Sequence, residues 1–156
     1  MSFRWLLFLH IASVLALLGT HGTSITVLYR IRRERDRARI LDLVTLSGET
    51  ILPMYISLAA IVVTGVLLGL KVHAFSLWWI WAAIAILVVV AALMGAIARP
   101  YFARVKEACQ MRPSGVPRVS DEELLEILHA PTAHVLSAIG GIGLLAILYL
   151  MIFQPH

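Results

Sequence analysis

The chain contains four long apolar blocks, which are separated by polar connections. The blocks cover residues 3–29, 47–70, 76–98 and 130–153. Each is long enough to cross a hydrocarbon layer about 30 Å thick, which takes about 20 helical residues. None shows the period of barrel strands, and a helix satisfies its own backbone groups in lipid. The pattern predicts an all-α bundle of four transmembrane helices in a single membrane domain.

Composition supports this interpretation, with 60% hydrophobic residues, 14% charged residues and a mean hydropathy of +0.90 in 156 residues. A soluble domain of this size needs more polar surface, so the lipid bilayer is the expected surrounding. In the first block Arg4 precedes a long apolar run, as a basic residue does in a signal peptide. This run is too long for that and lacks a small-residue cleavage site, so it is expected to be retained.

Basic residues predict the orientation. Eleven of them lie in the connections after the first and third blocks: Arg30, Arg32, Arg33, Arg35, Arg37, Arg39, Arg99, Arg104, Lys106, Arg112 and Arg118. Arg4 and Lys71 are left for the other side. Because lysine and arginine accumulate in cytoplasmic loops, both termini are expected outside. Glu34 and Asp36 interrupt the arginine run, so no nucleic-acid partner is expected.

The stretch SDEELLEILHAP predicts a short amphipathic helix at the inner membrane surface before the fourth span. Ser120 and Glu123 have the spacing of a capping box, in which each side chain satisfies a free backbone amide. Pro131 should end or kink the helix because it has no N–H group. One side of this helix would be lined by Leu124, Leu125 and Leu128.

The first span carries two histidines in LHIASVLALLGTHG. His10 and His21 are eleven residues apart, which brings them to within about 20° of one direction on a helix. Ser13, Thr20 and Ser24 fall near the same face. Polar residues in a spanning helix usually face the interior of the bundle, so this stripe is expected to point inward.

The fourth span offers a matching histidine. At about 1.5 Å per residue, His21 lies about 8 Å inside the midpoint of its span and His134 about 11 Å inside its own. Imidazoles from two antiparallel helices at similar depth are a way for a bundle to hold a haem iron. The small residues Ala133, Ser137 and Gly141 would let a flat ligand or another helix approach.

These residues predict one haem b with His21 and His134 as axial ligands. Arg99 or the arginines near Arg30 would pair with its propionates. His10 marks a second haem site nearer the outer face, whose other ligand could be His73, Met151 or His10 of a second subunit. A simpler role is also open for each histidine, as a hydrogen-bond donor to a carbonyl or serine one turn away.

The sequence also predicts structural roles for Pro53 and Glu49. Pro53 leaves the carbonyl of Glu49 without its helix bond, so a kink is expected there. Glu49 itself is expected to pair with Arg99 at the inner interface, the other role being a proton-relay or quinone-binding carboxylate. Cys109 is the single cysteine and is placed in the cytoplasm, so no disulfide is implied.

The four short spans, the LH-I-A pattern of the first helix and the His–Gly positions at its inner half resemble an uncharacterised family of small four-helix bacterial membrane proteins. They are also distantly similar to four-helix b-type cytochromes and to copper-resistance D-type membrane proteins. The resemblance implies the bacterial inner membrane, and from the b-type cytochromes it implies haem ligation by His10, His21 and His134. The fourth histidine of that pattern is missing here.

The sequence therefore favours a haem b protein that transfers electrons with quinone, or a haem-bearing subunit of a membrane complex. A quinone-linked oxidoreductase would be the enzymatic form. The alternatives are a small transport or copper-handling protein that uses His and Met, and a cofactor-free structural subunit. The small-residue row of the fourth span also suggests a homo-oligomer or contact with other membrane subunits.

Overall fold

The structure, a computed structural model, describes residues 2–154. Its helices are α1 (Phe3–Ile31), α2 (Arg37–Glu49), α3 (Ile51–Lys71), α4 (Trp78–Ala108), α5 (Asp121–His129) and α6 (Thr132–Phe153), with a short 3₁₀ helix at Ala74–Ser76. No strand occurs in residues 2–154. Four helical segments are long and apolar enough to cross a membrane, which confirms the four predicted spans.

The long helices form two antiparallel pairs, α1 with α3 and α4 with α6. The connections with most of the basic residues lie at one end of the bundle, which we call the arginine end. The other end carries all four tryptophans and is called the tryptophan end: Trp5, Trp78, Trp79 and Trp81. The first and last helical residues, Phe3 and Phe153, both lie at the tryptophan end.

Apolar side chains cover the outside of the long helices. Leu15 is 62% exposed and Ile142 is 69% exposed, and leucine, isoleucine and valine side chains of all four long helices are similarly open. Such a surface would be unfavourable in water at about 25 cal/mol per Å² of apolar area. Contact with lipid removes this cost, so the chain is a multi-pass membrane protein.

Residues 37–49 form a helix that the apolar pattern did not reveal. The side chain of Asp36 caps α2 by accepting a hydrogen bond from the backbone N–H of Ala38 at 2.9 Å. The helix ends at Glu49, and α3 begins after Thr50. The break expected from Pro53 is therefore present, and Pro53 itself lies in the first turn of α3, where its missing N–H costs little.

Helix α4 is longer than predicted, because it continues through Pro100 to Ala108 instead of ending near residue 98. Pro100 cannot donate to the carbonyl of Ala96, yet the residues beyond it remain helical. Tyr101 and Val105 are buried in the core at the arginine end. Burial of this last stretch outweighs the one lost backbone hydrogen bond.

The core that joins all the α-helices but α3 lies at the arginine end. It is a cluster of Val27, Leu28, Ile31, Ile40, Val44, Tyr101, Val105, Ala108, Cys109, Leu124, Leu128, Ala133 and Leu136. At the tryptophan end the buried cluster contains only Trp79, Ala83 and Leu150, all from α4 and α6. The two helix pairs are thus held together mainly at the arginine end, and a seam runs between them toward the tryptophan end.

Helix α5 belongs to this core. The hydroxyl of Ser120 accepts from the backbone N–H of Glu123 at 3.1 Å, which confirms the Ser120 half of the predicted capping box. The return bond from the Ser120 amide to the Glu123 side chain is not formed within residues 2–154. Leu124 and Leu128 are buried against protein. They pack against the ends of α1, α2 and α4, so the predicted amphipathic helix is present and these two leucines of its apolar side face protein. The break before α6 at Pro131 is confirmed.

Two arginines bind backbone carbonyls of the connections. Arg37 donates to the carbonyls of Ala108 at 2.7 Å and Val119 at 3.0 Å, and its Nη2 atom lies 2.6 Å from Asp121 Oδ1. Arg32 donates to the carbonyl of Ala130 at 2.8 Å, just after α5. These carbonyls have no helical partner, so the guanidinium groups satisfy them and fix the connections.

Candidate functional site

The polar stripe of α1 reaches two different neighbours. His10 points to α3, where its Nδ1 atom lies 2.9 Å from Thr64 Oγ1. His21 points to α6, where its Nε2 atom lies 2.7 Å from the position that a Cβ atom would take on Gly140. Ser24 also contacts another segment, whereas Ser13 and Thr20 donate only to carbonyls of α1. The inward orientation is therefore confirmed for His10, His21 and Ser24, and the two histidines occupy separate places, one in the α1–α3 interface and one in the seam.

Thr64 contacts the ring of His10 and holds it in place. The hydroxyl of Thr64 donates to the carbonyl of Ala60 at 2.6 Å, and its oxygen can accept from His10 in the Nδ1–H tautomer. In that tautomer the lone pair is on Nε2. Gly65 gives the ring room, since a Cβ there would lie 3.2 Å from His10 Cε1. This is also how an outer partner orients a ligating histidine.

His21 has an incomplete set of hydrogen bonds. Its Nε2 atom is buried and has no hydrogen-bond partner in residues 2–154. The methyl carbon of Met94 on α4 lies 3.7 Å from the same Cβ position on Gly140. An imidazole nitrogen and a thioether side chain thus meet over one glycine of α6.

A second buried polar atom without a hydrogen-bond partner lies on α6, one turn from Gly140. Ser137 precedes Gly140 by three residues, which places both on one face of the helix. Its hydroxyl is buried and makes no hydrogen bond within the described chain. Buried polar groups are nearly always paired. Trp79 Nε1 and the Tyr101 hydroxyl also have no partner within residues 2–154, and His21 and Ser137 are the two of these four atoms whose residues contact Gly140 or lie one turn from it. This part of the seam is therefore a candidate site.

His134 does not join His21. Its Nδ1 atom lies 3.3 Å from the hydroxyl of Tyr29, whereas His21 lies against Gly140. His134 and Gly140 are six residues apart on α6, which is about 9 Å along the helix. The predicted similar depth is therefore wrong, because it assumed that α1 and α6 have their midpoints at one level, whereas Gly140, near the middle of α6, lies beside His21.

Gly140, and not Gly141, provides the close approach on α6. No atom lies within 4 Å of a Cβ placed on Gly141, whereas Gly140 meets His21 and Gly143 meets Val90. Ala133, the first member of the predicted small-residue row, is fully buried in the core at the arginine end. The row is therefore not a continuous free face for a second subunit.

A group of hydroxyls lies one turn beyond His21, at the arginine end of α1. Ser24 Oγ lies 3.1 Å from Thr50 Oγ1 and accepts from Ser47 at 3.2 Å. The sequence pattern identified Ser24 but not its two partners. Thr50 sits in the break between α2 and α3, and its position could only follow from knowing that α2 exists.

Arg99 and Glu49 do not form the predicted ion pair. Arg99 donates to the hydroxyl of Tyr55 at 2.6 Å, and no ion pair of residues 2–154 includes Glu49. The break at Thr50 turns Glu49 into the last residue of α2, where it is exposed. Arg99 also lies on an exposed side of α4, which does not bring it to the seam.

Fit to a haem can be judged from these contacts. The Nε2 atom of His21, which has no hydrogen-bond partner within residues 2–154, is suited to be one axial ligand of a haem. His21 and His134 together are not placed to be its two axial ligands. The residues described contain no group of three or more His, Cys, Asp or Glu side chains that could enclose a metal ion. Any metal at this point would therefore use His21 with a softer neighbour such as Met94.

No family model matches the chain, and no curated protein or solved structure does either. The resemblance to b-type cytochromes and to copper-resistance D-type proteins therefore rests on the residues alone. The fold defines a class, which is that of small multi-pass membrane proteins with four spanning helices.

Proposed function

We propose that this membrane protein binds haem b through His21 and transfers electrons within the membrane. The observation that carries the proposal is the buried Nε2 atom of His21, which has no protein partner. A buried polar atom without a hydrogen bond lowers the stability of the folded protein by about 1–3 kcal/mol. Coordination to iron would satisfy that atom.

Met94 is the proposed second ligand. Its methyl group approaches the same point over Gly140 as His21 Nε2. An imidazole with a thioether is one of the known axial pairs of haem, and bound iron would supply one-electron redox chemistry. The protein's part is to hold the imidazole and to exclude water, which the surrounding apolar helices do.

The seam is where the cofactor would enter. The ring of His21 fills the space over Gly140, so a porphyrin requires the two helix pairs to separate at this level. Their shared buried core lies at the arginine end, and the buried cluster at the tryptophan end belongs to α4 and α6 alone. Separation of the pairs would therefore break few buried contacts.

Quinone is the proposed redox partner. The Tyr29 hydroxyl and the His134 ring lie 3.3 Å apart, and both side chains are exposed. A phenol beside an imidazole offers donors to a quinone carbonyl at the edge of the bilayer. This gives His134 a role other than ligation.

The test is the absorption spectrum of the protein purified from cells supplied with haem, with the haem content measured on the same sample. A Soret band that His21→Ala abolishes or shifts to the high-spin form is the expected result. His134→Ala is the matched control and should leave the band unchanged, and Met94→Leu should change the spin state. A colourless protein, or a band that both His21→Ala and Met94→Leu leave intact, contradicts the proposal.

Copper handling is the second candidate, favoured by the meeting of His21 and Met94. Thioether and imidazole ligands suit Cu(I), and a single ion would need a smaller movement of the His21 ring than a porphyrin would. Competition with a Cu(I) chelator decides between the two. Binding of one Cu(I) by a colourless protein, lost in Met94→Leu and in His21→Ala, would establish copper in place of haem.

A further inference from the structure

A charged cavity opens at the arginine end, far from His21. It lies between the last turns of α4, the connection of residues 109–120 and α5, and has a volume of about 510 Å³. Its lining combines the apolar side chains of Ala108, Val119 and Ile127 with exposed charged ones. The charged members are Arg104, Glu107, Arg112, Arg118 and Glu123.

The connection that carries two of these arginines is an ordered turn. Arg112 and Val116 are joined by a backbone hydrogen bond of 2.8 Å, and Gly115 adopts a positive φ of 77° that closes the turn. The backbone N–H of Arg118 donates to the carbonyl of Gln110 at 3.1 Å. Arg112 and Arg118 are thus held in place before any ligand binds, which lowers the entropic cost of binding.

Positive charge exceeds negative charge around the cavity. Arg118 Nη1 lies 3.3 Å from Glu107 Oε1, and Arg112 donates one N–H to the carbonyl of Arg118 at 3.2 Å. Arg104 forms no ion pair within residues 2–154. Each guanidinium has five N–H donors, so all three arginines keep donors that can face the cavity. Glu123 is the remaining carboxylate, which leaves an excess of one positive charge.

The depth of the cavity matches the headgroup layer. Arg99 is the first charged residue after the apolar stretch of α4, and Arg104 follows it by five residues, which is about 7.5 Å along the helix. A lipid phosphate lies just outside the hydrocarbon layer, at this level. Arginine is well suited to phosphate because its planar fork donates two parallel hydrogen bonds.

We infer that this cavity binds a phosphate group, supplied by the headgroup of an anionic phospholipid. Arg104 and Arg112 contribute free donors, and Arg118, held by Glu107, forms the third side. The apolar residues beside them suit the glycerol and the first carbons of the acyl chains. The inference is independent of the proposed haem function, because none of its residues contacts the seam.

The test uses the full-length protein in a neutral detergent. Binding of short-chain phosphatidylglycerol, short-chain phosphatidylcholine and inorganic phosphate is measured by native mass spectrometry and by the shift in melting temperature. Arg104→Ala/Arg112→Ala is compared with Arg33→Ala/Arg35→Ala, which removes equal charge from exposed positions outside the cavity. We expect phosphatidylglycerol to bind best, and the first variant to weaken it at least about tenfold while the second leaves it unchanged.

Each result decides the inference. Inorganic phosphate that binds as well as phosphatidylglycerol, and depends on the same arginines, supports the phosphate site but assigns it to a soluble ligand. Equal binding of the two lipids, or equal weakening by the two double variants, overturns it. Since all four substituted arginines are exposed, the variants should fold, and retention of the native melting temperature without lipid verifies this.

Discussion

The Nε2 atom of His21 lies against the backbone of Gly140, 2.7 Å from the position that a Cβ atom would take. The two residues mark the seam between the helix pairs, because the missing side chain at Gly140 lets the imidazole of α1 lie against the backbone of α6. The same contact leaves the imidazole without a hydrogen-bond partner. Packing of the seam and the chemistry of the candidate site thus depend on one glycine.

Gly140→Ala should destabilise the protein by about 1–3 kcal/mol, because its Cβ would overlap His21 and the ring would have to move. Gly141→Ala is the control, since nothing lies within 4 Å of its Cβ position. We expect the control to leave the unfolding free energy unchanged or to raise it by up to about 1 kcal/mol, because alanine has the higher helix propensity. Unfolding in mixed micelles of increasing SDS fraction measures both, and equal effects would disprove the contact.

Arg37→Ala should destabilise the arginine end by about 2–3 kcal/mol, because the carbonyls of Ala108 and Val119 lose a charged donor while partly buried. Arg39→Ala removes the same charge from a side chain that is 72% exposed, whose nearest carboxylate oxygens are 3.8 and 4.0 Å away. Its expected effect is below about 0.5 kcal/mol. If thermal unfolding in detergent gave the two variants equal stability, the role assigned to Arg37 would be wrong.

Cys109 should resist modification until the arginine end unfolds. The thiol is 2% exposed, and burial raises its pKa, although Arg37 opposes the shift. A pKa raised in the folded state gives stability that is complete below the unfolded thiol pKa and declines as pH rises through the folded pKa. The stability of the protein should therefore fall in the alkaline range above about pH 8.5.

Two measurements check this behaviour of Cys109. Maleimide labelling at neutral pH should be slow in detergent and fast after denaturation. Cys109→Ala should make the unfolding free energy less dependent on alkaline pH than it is in the natural sequence. Rapid labelling of the folded protein would contradict the buried position.

The arginine end should face the cytoplasm, because eleven basic residues lie there against two at the tryptophan end. In a Cys109→Ala background, Arg35→Cys should react with a membrane-impermeant maleimide only after the cells are opened. Ser76→Cys, next to the tryptophan end of α4, should react in intact cells. The reverse pattern of labelling would invert the topology.

The sequence by itself determined the four spanning helices, because a run of about 20 apolar residues has no other stable state in lipid. It also determined local features whose causes lie within a few residues, such as the cap at Ser120 and the helix ends near Pro53 and Pro131. The sequence pattern did not predict helix α2, because that helix is neither apolar throughout nor long, and its burial depends on α1 and α4.

Only the tertiary structure decided which polar groups meet. Helical geometry correctly placed His10 and His21 on the inner face of α1, but not their partners, because those depend on how far neighbouring helices are shifted along their axes. Gly140, which lies six residues beyond His134 on α6, is the residue that His21 contacts, and Met94 lies near the same point. The sequence contains no local signal for that shift, since it arises from packing of the buried core at the arginine end.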